Sequence, residues 1–171
     1  RMNDIVSYQL SRAARSGHAL YSAPIGILPH AESIVSSLEK IYRSKGVLCE
    51  FEIDPKSQFS GELGDLQELL GNFLENAFKW ARQRVLLTVR PLYEPAAKRP
   101  GLFLCIEDDG TGIAPEDIST ILQRGVRGDE RVQGHGIGMA IVQDIIQSYG
   151  GQLAVDRSAE LGGARFTITL P

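Results

Sequence analysis

Between Glu62 and Ala81, the apolar residues Leu66, Leu70, Phe73, Leu74 and Ala77 recur at the spacing of one helix face, which predicts a long amphipathic helix. Further on the period shortens. RVLLTVRPLY (84–93) and GLFLCIED (101–108) are short β-branched and apolar runs, predicting two strands around the Pro-rich connection Glu94 to Pro100. VLCEFEID (47–54) alternates and stops at Pro55, so it predicts another strand, preceded by the helix HAESIVSSLEKIYRSKG (30–46) with its stop at Gly46. Downstream, a short helix is expected after Pro115, then a polar Arg- and Gly-rich segment from Gln123 to Gly138. The helix MAIVQDIIQSYG (139–150) and the strands GQLAVDR (151–157) and ARFTITL (164–170) complete the chain. At its start, Met2, Val6, Leu10 and Ala13 mark one apolar helical stripe ending near Gly17, and Pro24 and Pro29 bracket a linker. Antiparallel strands with helices gathered between them predict a two-layer α/β sandwich.

Composition narrows the class without changing that picture. The chain has 171 residues, 43% hydrophobic and 23% charged, as expected for one well-cored soluble domain with a short appendage. A net charge of -3 with both signs interspersed argues against nucleic acid as a main partner. No apolar run approaches the roughly 20 residues that span a bilayer, and no signal peptide opens the chain. Cys49 and Cys105 lack metal-ligand spacing and sit in strand-like apolar runs, as buried small hydrophobes in a reducing compartment would.

The candidate chemistry begins where the long helix breaks its own pattern. GNFLENAFKWA (71–81) carries two asparagines, which are poor interior helix residues because their amides compete for backbone groups. At 100° per residue, Asn72, Asn76 and Lys79 fall within about 60° of one another, off the apolar stripe, as one polar patch. A solvated helix face would look the same. IEDDGTGI (106–113) carries an apolar strand into two carboxylates and a Gly-x-Gly turn. There Asp108 can accept a hydrogen bond from an amino group, and Gly110 and Gly112 let backbone approach a flat ligand. A plain Asp-Gly turn is equally consistent with these residues. In GHGIGMA, Gly134, Gly136 and Gly138 precede a helix, where exposed N–H groups and the positive helix end suit phosphate. The spacing matches neither the dinucleotide fingerprint nor a Walker motif, and a flexible loop would account for it too. GGAR (162–165) before the last strand is, alone, a turn.

In this order the four elements are far more specific than any one of them. The chain resembles the ATP-binding domain shared by sensor histidine kinases, gyrase, Hsp90-type chaperones and MutL, the Bergerat or GHKL fold. NFLENAFK looks like its N box, DDGTG its first glycine box, GHGIGM its second and GGARF its last, over roughly Lys45 to Pro171. YRSKGV and the short RGVRGDERVQGHGIG segment look most like the PhoQ-like subgroup of sensor kinases. The resemblance implies a mixed, mostly antiparallel sheet with helices on one face. It also implies Mg-ATP as the ligand: Asn76 as the protein ligand to Mg²⁺, Lys79 on phosphate, and Asp108 accepting the adenine amino hydrogen, with Gly110 and Gly112 nearby. Trp80 would pack near the base or ribose, or else in the core. Asn72 stands where ATP-hydrolysing branches carry a water-activating glutamate, and an amide cannot take a proton. Segment 123–133 would be the ATP lid, with Arg124, Arg127 and Arg131 as candidate γ-phosphate contacts and Gly134, Gly136 and Gly138 cradling phosphate. Leu122 departs from the phenylalanines common just before that lid.

The implied activity is that of a protein-histidine kinase in a two-component system, signalling to a response regulator. His18, His30 and His135 lack the phosphoacceptor context. Residues 1–29 are therefore expected to be the end of a dimerisation helix plus linker, and 30–171 the catalytic domain. Its phosphoacceptor helix would lie upstream, in a homodimeric protein of the bacterial inner membrane with this domain in the cytoplasm. A GHKL serine kinase of the anti-sigma-factor type, or a non-catalytic nucleotide-sensing module, are the alternatives.

Overall fold

A computed structural model describes residues 23–122 and 136–171, the side chains of 136–138 excepted. A five-stranded sheet is covered by helices, as the hydropathy pattern requires. In chain order the elements begin with β1 (Ile25–Gly26), α1 (Leu28–Ile41), β2 (Leu48–Ile53) and β3 (Gln58–Phe59). They continue with α2 (Leu63–Trp80), β4 (Arg84–Leu92), β5 (Gly101–Asp108), α3 (Pro115–Leu122), α4 (Gly136–Ser148), β6 (Gln152–Arg157) and β7 (Ala164–Leu170). The sheet order is β2-β4-β5-β7-β6. Only β2 and β4 run parallel, in register Leu48 to Arg84, because the chain between them crosses over through α2. Every other neighbour pair is antiparallel. Among the described residues no helix is long and apolar enough to cross a membrane.

α2 is the central helix, with Leu66, Leu70, Phe73, Leu74 and Ala77 buried in the expected stripe. That stripe packs in one core with Leu87, Leu104, Ile106, Phe166 and Ile168 from three neighbouring strands, and the rings of Phe73 and Phe166 lie 5.6 Å apart. Truncating a buried ring of this kind costs about 3–5 kcal/mol. The opposite face of the sheet is mixed: buried Leu86 and Cys105 lie there, Arg84 pairs with Glu50 at 2.9 Å, and the Arg90 guanidinium stacks on Phe103 at 4.1 Å.

Two local features differ from the sequence reading. The stretch between Pro24 and Pro29 is not a plain linker, since Ile25 and Gly26 pair with Phe59 and Gln58, and α1 has already begun at Leu28. Pro29 occupies the first turn, where its missing N–H is harmless, so it starts this helix rather than delimiting it. The pairing β1–β3 is two residues long, too short to show a period. α4 likewise begins at Gly136, ahead of the expected Met139, so Gly136 and Gly138 lie in its first turn. The terminal stripe Met2 to Ala13 lies outside the described residues.

Candidate functional site

The last two turns of α2 sort the polar patch into different environments. Asn76 is buried, Asn72 is half-buried and Lys79 is exposed. The reason is position on the helix: Asn76 lies one turn past Asn72 in the flank that also holds buried Asp65 and Leu69, and this flank faces the helical layer rather than solvent. Its amide oxygen Oδ1 is buried without a hydrogen-bond partner among the described residues. Leaving such an oxygen unpaired costs about 1–3 kcal/mol, so its chemistry suits a cation or a hydrogen-bond donor. The Asn72 amino group donates to the Glu68 backbone carbonyl at 2.8 Å and to Glu68 Oε2 at 2.6 Å. Both residues line an open cleft of about 420 Å³ between α1 and α2. Trp80 is 37% exposed, so it is not a core aromatic, and the Lys79 ammonium lies 5.9 Å from its ring centre.

The end of β5 meets this helix end closely. A Cβ at Gly110 would lie 2.2 Å from the Trp80 carbonyl oxygen, so only glycine admits this approach. The two carboxylates of the turn divide the work. Asp109 Oδ1 accepts from the N–H groups of Arg82 (2.7 Å) and Gln83 (3.1 Å), pinning the α2–β4 junction to the turn. Burial works against its charge, but these bonds prevail and hold its carboxyl below the usual carboxylate range. Asp108 is 2% exposed, and its Oδ1 accepts from Gly110 N (2.8 Å) and Ala164 N (3.3 Å). Burial nevertheless pushes its carboxyl up, with those two bonds and Lys45 opposing. Its other oxygen, Oδ2, has no hydrogen-bond partner among the described residues.

Gly163 completes the cradle. Its N–H donates to the Asp108 carbonyl at 3.0 Å, and a Cβ there would fall 2.2 Å from Asp108 Oδ1. Gly112, at φ +79°, lies against Gly163. Asp108, Gly110 and Gly112 are thus brought together as the sequence suggested. Two residues of the surroundings escaped that reading. Lys45 donates to the carbonyls of Phe78 (3.0 Å) and Lys79 (2.7 Å), closing the C-terminal end of α2, and nothing in its SKG context signals this. Gly163 was visible as part of GGARF, the last of the four motifs, but with no role of its own assigned.

Arg124, Arg127, Arg131 and Gly134 lie outside the described residues. The helices on either side of that segment are joined, because the buried Gln143 of α4 donates to the Ile121 carbonyl of α3 at 2.7 Å. Gly136 and Gly138 leave the first turn of α4 with backbone N–H groups that have no intrahelical partner.

The profile of the histidine kinase-, DNA gyrase B-, and HSP90-like ATPases matches residues 61–171, the part of the chain that contains α2, the Asp108 turn and Gly163. The chain belongs to this family. Its ATPase-family domain is similar in sequence to the two-component sensor PhoQ of Pseudomonas aeruginosa, 39% identical over 170 residues, covering 98% of this chain and 36% of that one. The chain therefore spans about a third of the length of the curated relatives it matches. In structure it is similar to the mycobacterial sensor histidine kinase MprB, with a TM-score of 0.69 at 27% identity over 87% of this chain and 96% of that one. The full-length kinase ShkA, solved in complex with AMPPNP, gives a TM-score of 0.69 at 26% identity, over 87% of this chain and 30% of that one. Family and architecture thus agree: this is an ATP-binding α/β domain of the histidine-kinase-like ATPases.

Proposed function

We propose that the chain is the catalytic domain of a two-component sensor histidine kinase, binding Mg-ATP and donating the γ-phosphoryl group to a histidine on a dimerisation helix. The observation that carries the reading is Asp108: a buried carboxylate without an ion-pair partner among the described residues, one oxygen held by backbone and the other left for a ligand. Such an oxygen suits an exocyclic amino group, and so adenine rather than guanine, which presents a carbonyl there. Gly110, Gly112 and Gly163 keep the floor of that pocket free of side chains. Asn76 fits a hard cation, because its buried amide oxygen has no partner among the described residues and a neutral ligand suits an ion already balanced by phosphates. Bound Mg²⁺ would supply charge neutralisation for the phosphate groups.

In this reading Asn72 and Lys79 face the phosphates, Trp80 flanks the nucleoside, and Arg124, Arg127 and Arg131 reach the γ-phosphate. Gly134, Gly136 and Gly138 offer N–H groups at the start of α4. The transfer forms a bond from a histidine nitrogen to phosphorus as the β–γ bridge breaks, ADP leaving. These side chains position and neutralise; the proton released from the imidazole passes to a base beside that histidine, not to any of them. Asn72 cannot activate water, so ATP is held rather than hydrolysed. Residues 1–29 are read as the end of the dimerisation helix and a linker, whose last residues, from Ile25, already pair with β3 and begin α1; the whole homodimeric protein lies in the inner membrane, with this domain in the cytoplasm and a response regulator as the next acceptor.

The test is incubation with γ-labelled ATP and Mg²⁺, with and without a dimerisation domain carrying a phosphoacceptor histidine. Acid-labile label is expected on that domain alone. ATP binding with no transfer would favour a nucleotide-sensing module, and label on serine a kinase of the anti-sigma type.

A further inference from the structure

We propose that Lys45 and Asp109 act together as positioning residues for the base end of the ATP site: a cation and an anion from two distant segments stop α2 at Trp80. The inference rests on the reading of Asp108 and Trp80 as that base end. Nothing in the local sequence ends the helix there. Ala81, Arg82, Gln83 and Arg84 are good helix formers, and neither glycine nor proline stands among them. A continuing helix would bond the Arg82 N–H to the Phe78 carbonyl and the Gln83 N–H to the Lys79 carbonyl. In the structure both bonds are exchanged. The two N–H groups donate to Asp109 Oδ1, at 2.7 Å and 3.1 Å, and the two carbonyls accept from Lys45 Nζ, at 3.0 Å and 2.7 Å. Donors and acceptors released at the break are thus each met by a side chain of matching charge, and Ala81 leaves the helix extended, at φ -62° and ψ 149°.

Where the helix stops decides how its end meets the base-binding turn. Trp80 is its last residue, and the Trp80 carbonyl oxygen lies so close to Gly110 that a Cβ there would fall 2.2 Å away. Gly110 N in turn donates to Asp108 Oδ1 at 2.8 Å. Asp109 stands between those two residues, so one turn both cuts the helix and carries the base-binding carboxylate. A further turn of helix would carry the chain past Gly110 and undo this contact. Lys45 reaches the break from between α1 and β2, and its ammonium lies 5.5 Å from the Tyr42 ring centre, which limits where it can swing. Its two bonds hold the carbonyls of the very turn that carries Lys79 and Trp80.

Lys45→Met, Lys45→Arg, Asp109→Ala and the double variant Lys45→Met/Asp109→Ala test this in the whole chain. Mg-ATP affinity is measured calorimetrically and stability by urea unfolding. The order of the α2 end is read from the fluorescence anisotropy and acrylamide quenching of Trp80, the chain's single tryptophan. Lys45→Met is expected to weaken Mg-ATP binding about tenfold, as when only about a tenth of the chains hold the competent turn, and to lower a Trp80 anisotropy that saturating Mg-ATP restores. Asp109→Ala should act in the same direction, and Lys45→Arg, which keeps donors for both carbonyls, should recover most of the affinity. The double variant should lose less stability than the two single losses together, because the freed N–H groups and carbonyls then pair with one another, while its ATP affinity stays about tenfold down. A folded Lys45→Met chain with wild-type affinity and Trp80 signal, additive stability losses, or an Arg variant no better than Met would overturn the proposal. Asp108→Asn separates that failure from failure of the reading beneath it: if this variant also keeps wild-type affinity the base-site reading falls too, and if it weakens binding only the helix-stop proposal falls. Where Asp109→Ala fails to fold, the two Lys45 variants carry the comparison.

Discussion

Replacing Asp108 by asparagine separates the two oxygens of this carboxylate. Oδ1 accepts from Gly110 N at 2.8 Å and Ala164 N at 3.3 Å, and an asparagine oxygen can keep both bonds. The change falls on Oδ2, which becomes an amino group and meets the adenine amino group as donor against donor. Loss of one hydrogen bond to a charged acceptor is about 1.5–3 kcal/mol, or about 10- to 150-fold in ATP affinity. Stability should move the other way. Burial raises the Asp108 carboxyl, so the folded chain holds its proton more tightly than the unfolded chain does. Fold stability therefore falls as pH rises from the ordinary carboxylate value through the raised one, and the ionised group is a net cost at neutral pH. Asp108→Asn lacks that cost. It is expected to melt at or above the wild-type temperature at about pH 7, with the advantage disappearing below about pH 4 as both groups become neutral. Calorimetric titration with Mg-ATP and melts at the two pH values test both halves. Unchanged affinity in a folded variant would remove Asp108 from the base site. A variant melting well below wild type at neutral pH would show that Oδ2 holds the fold, contrary to its lack of a partner among the described residues.

Asn76→Ala should flatten the Mg²⁺ dependence of ATP affinity while lowering the melting temperature little, since it removes a buried oxygen with no partner among the described residues; equal Mg²⁺ enhancement in variant and wild type would refute the ligand role. Gly163→Ala places a Cβ 2.2 Å from Asp108 Oδ1 and 2.4 Å from its carbonyl oxygen, so it should destabilise the chain by about 1–3 kcal/mol and weaken ATP binding together, read by urea unfolding and calorimetry. Tyr149→Phe removes the bond from its hydroxyl to buried Asp65 at 2.6 Å, which ties the end of α4 to the start of α2, and should cost about 1.5–3 kcal/mol in urea unfolding with ATP affinity little changed. The Cys49 thiol, pushed up to about 12 by burial and then by Glu39 and Glu50, should resist alkylation at about pH 8 in the folded chain and react promptly in denaturant.

What the chain alone determined was its periodic structure and the order of its chemistry. The stripe Leu66 to Ala77, the strands ending at Asp108 and Leu170, and the four polar and glycine-rich motifs were all legible, because each is a local pattern of side chains or a run of turn residues. The short β1–β3 ladder was not, since two residues have no period and their pairing spans more than 30 positions. The site divides in the same way. DDGTG announced two carboxylates, but only the folded chain decides that Asp109 pins the α2–β4 junction while Asp108 keeps one oxygen for a ligand, because the deciding N–H groups come from Arg82, Gln83 and Ala164. Asn72, Asn76 and Lys79 share one helix face in the sequence. Their burial, orientation and solvation are set by what packs beside that face, and this is a property of contacts between distant segments rather than of the helix itself.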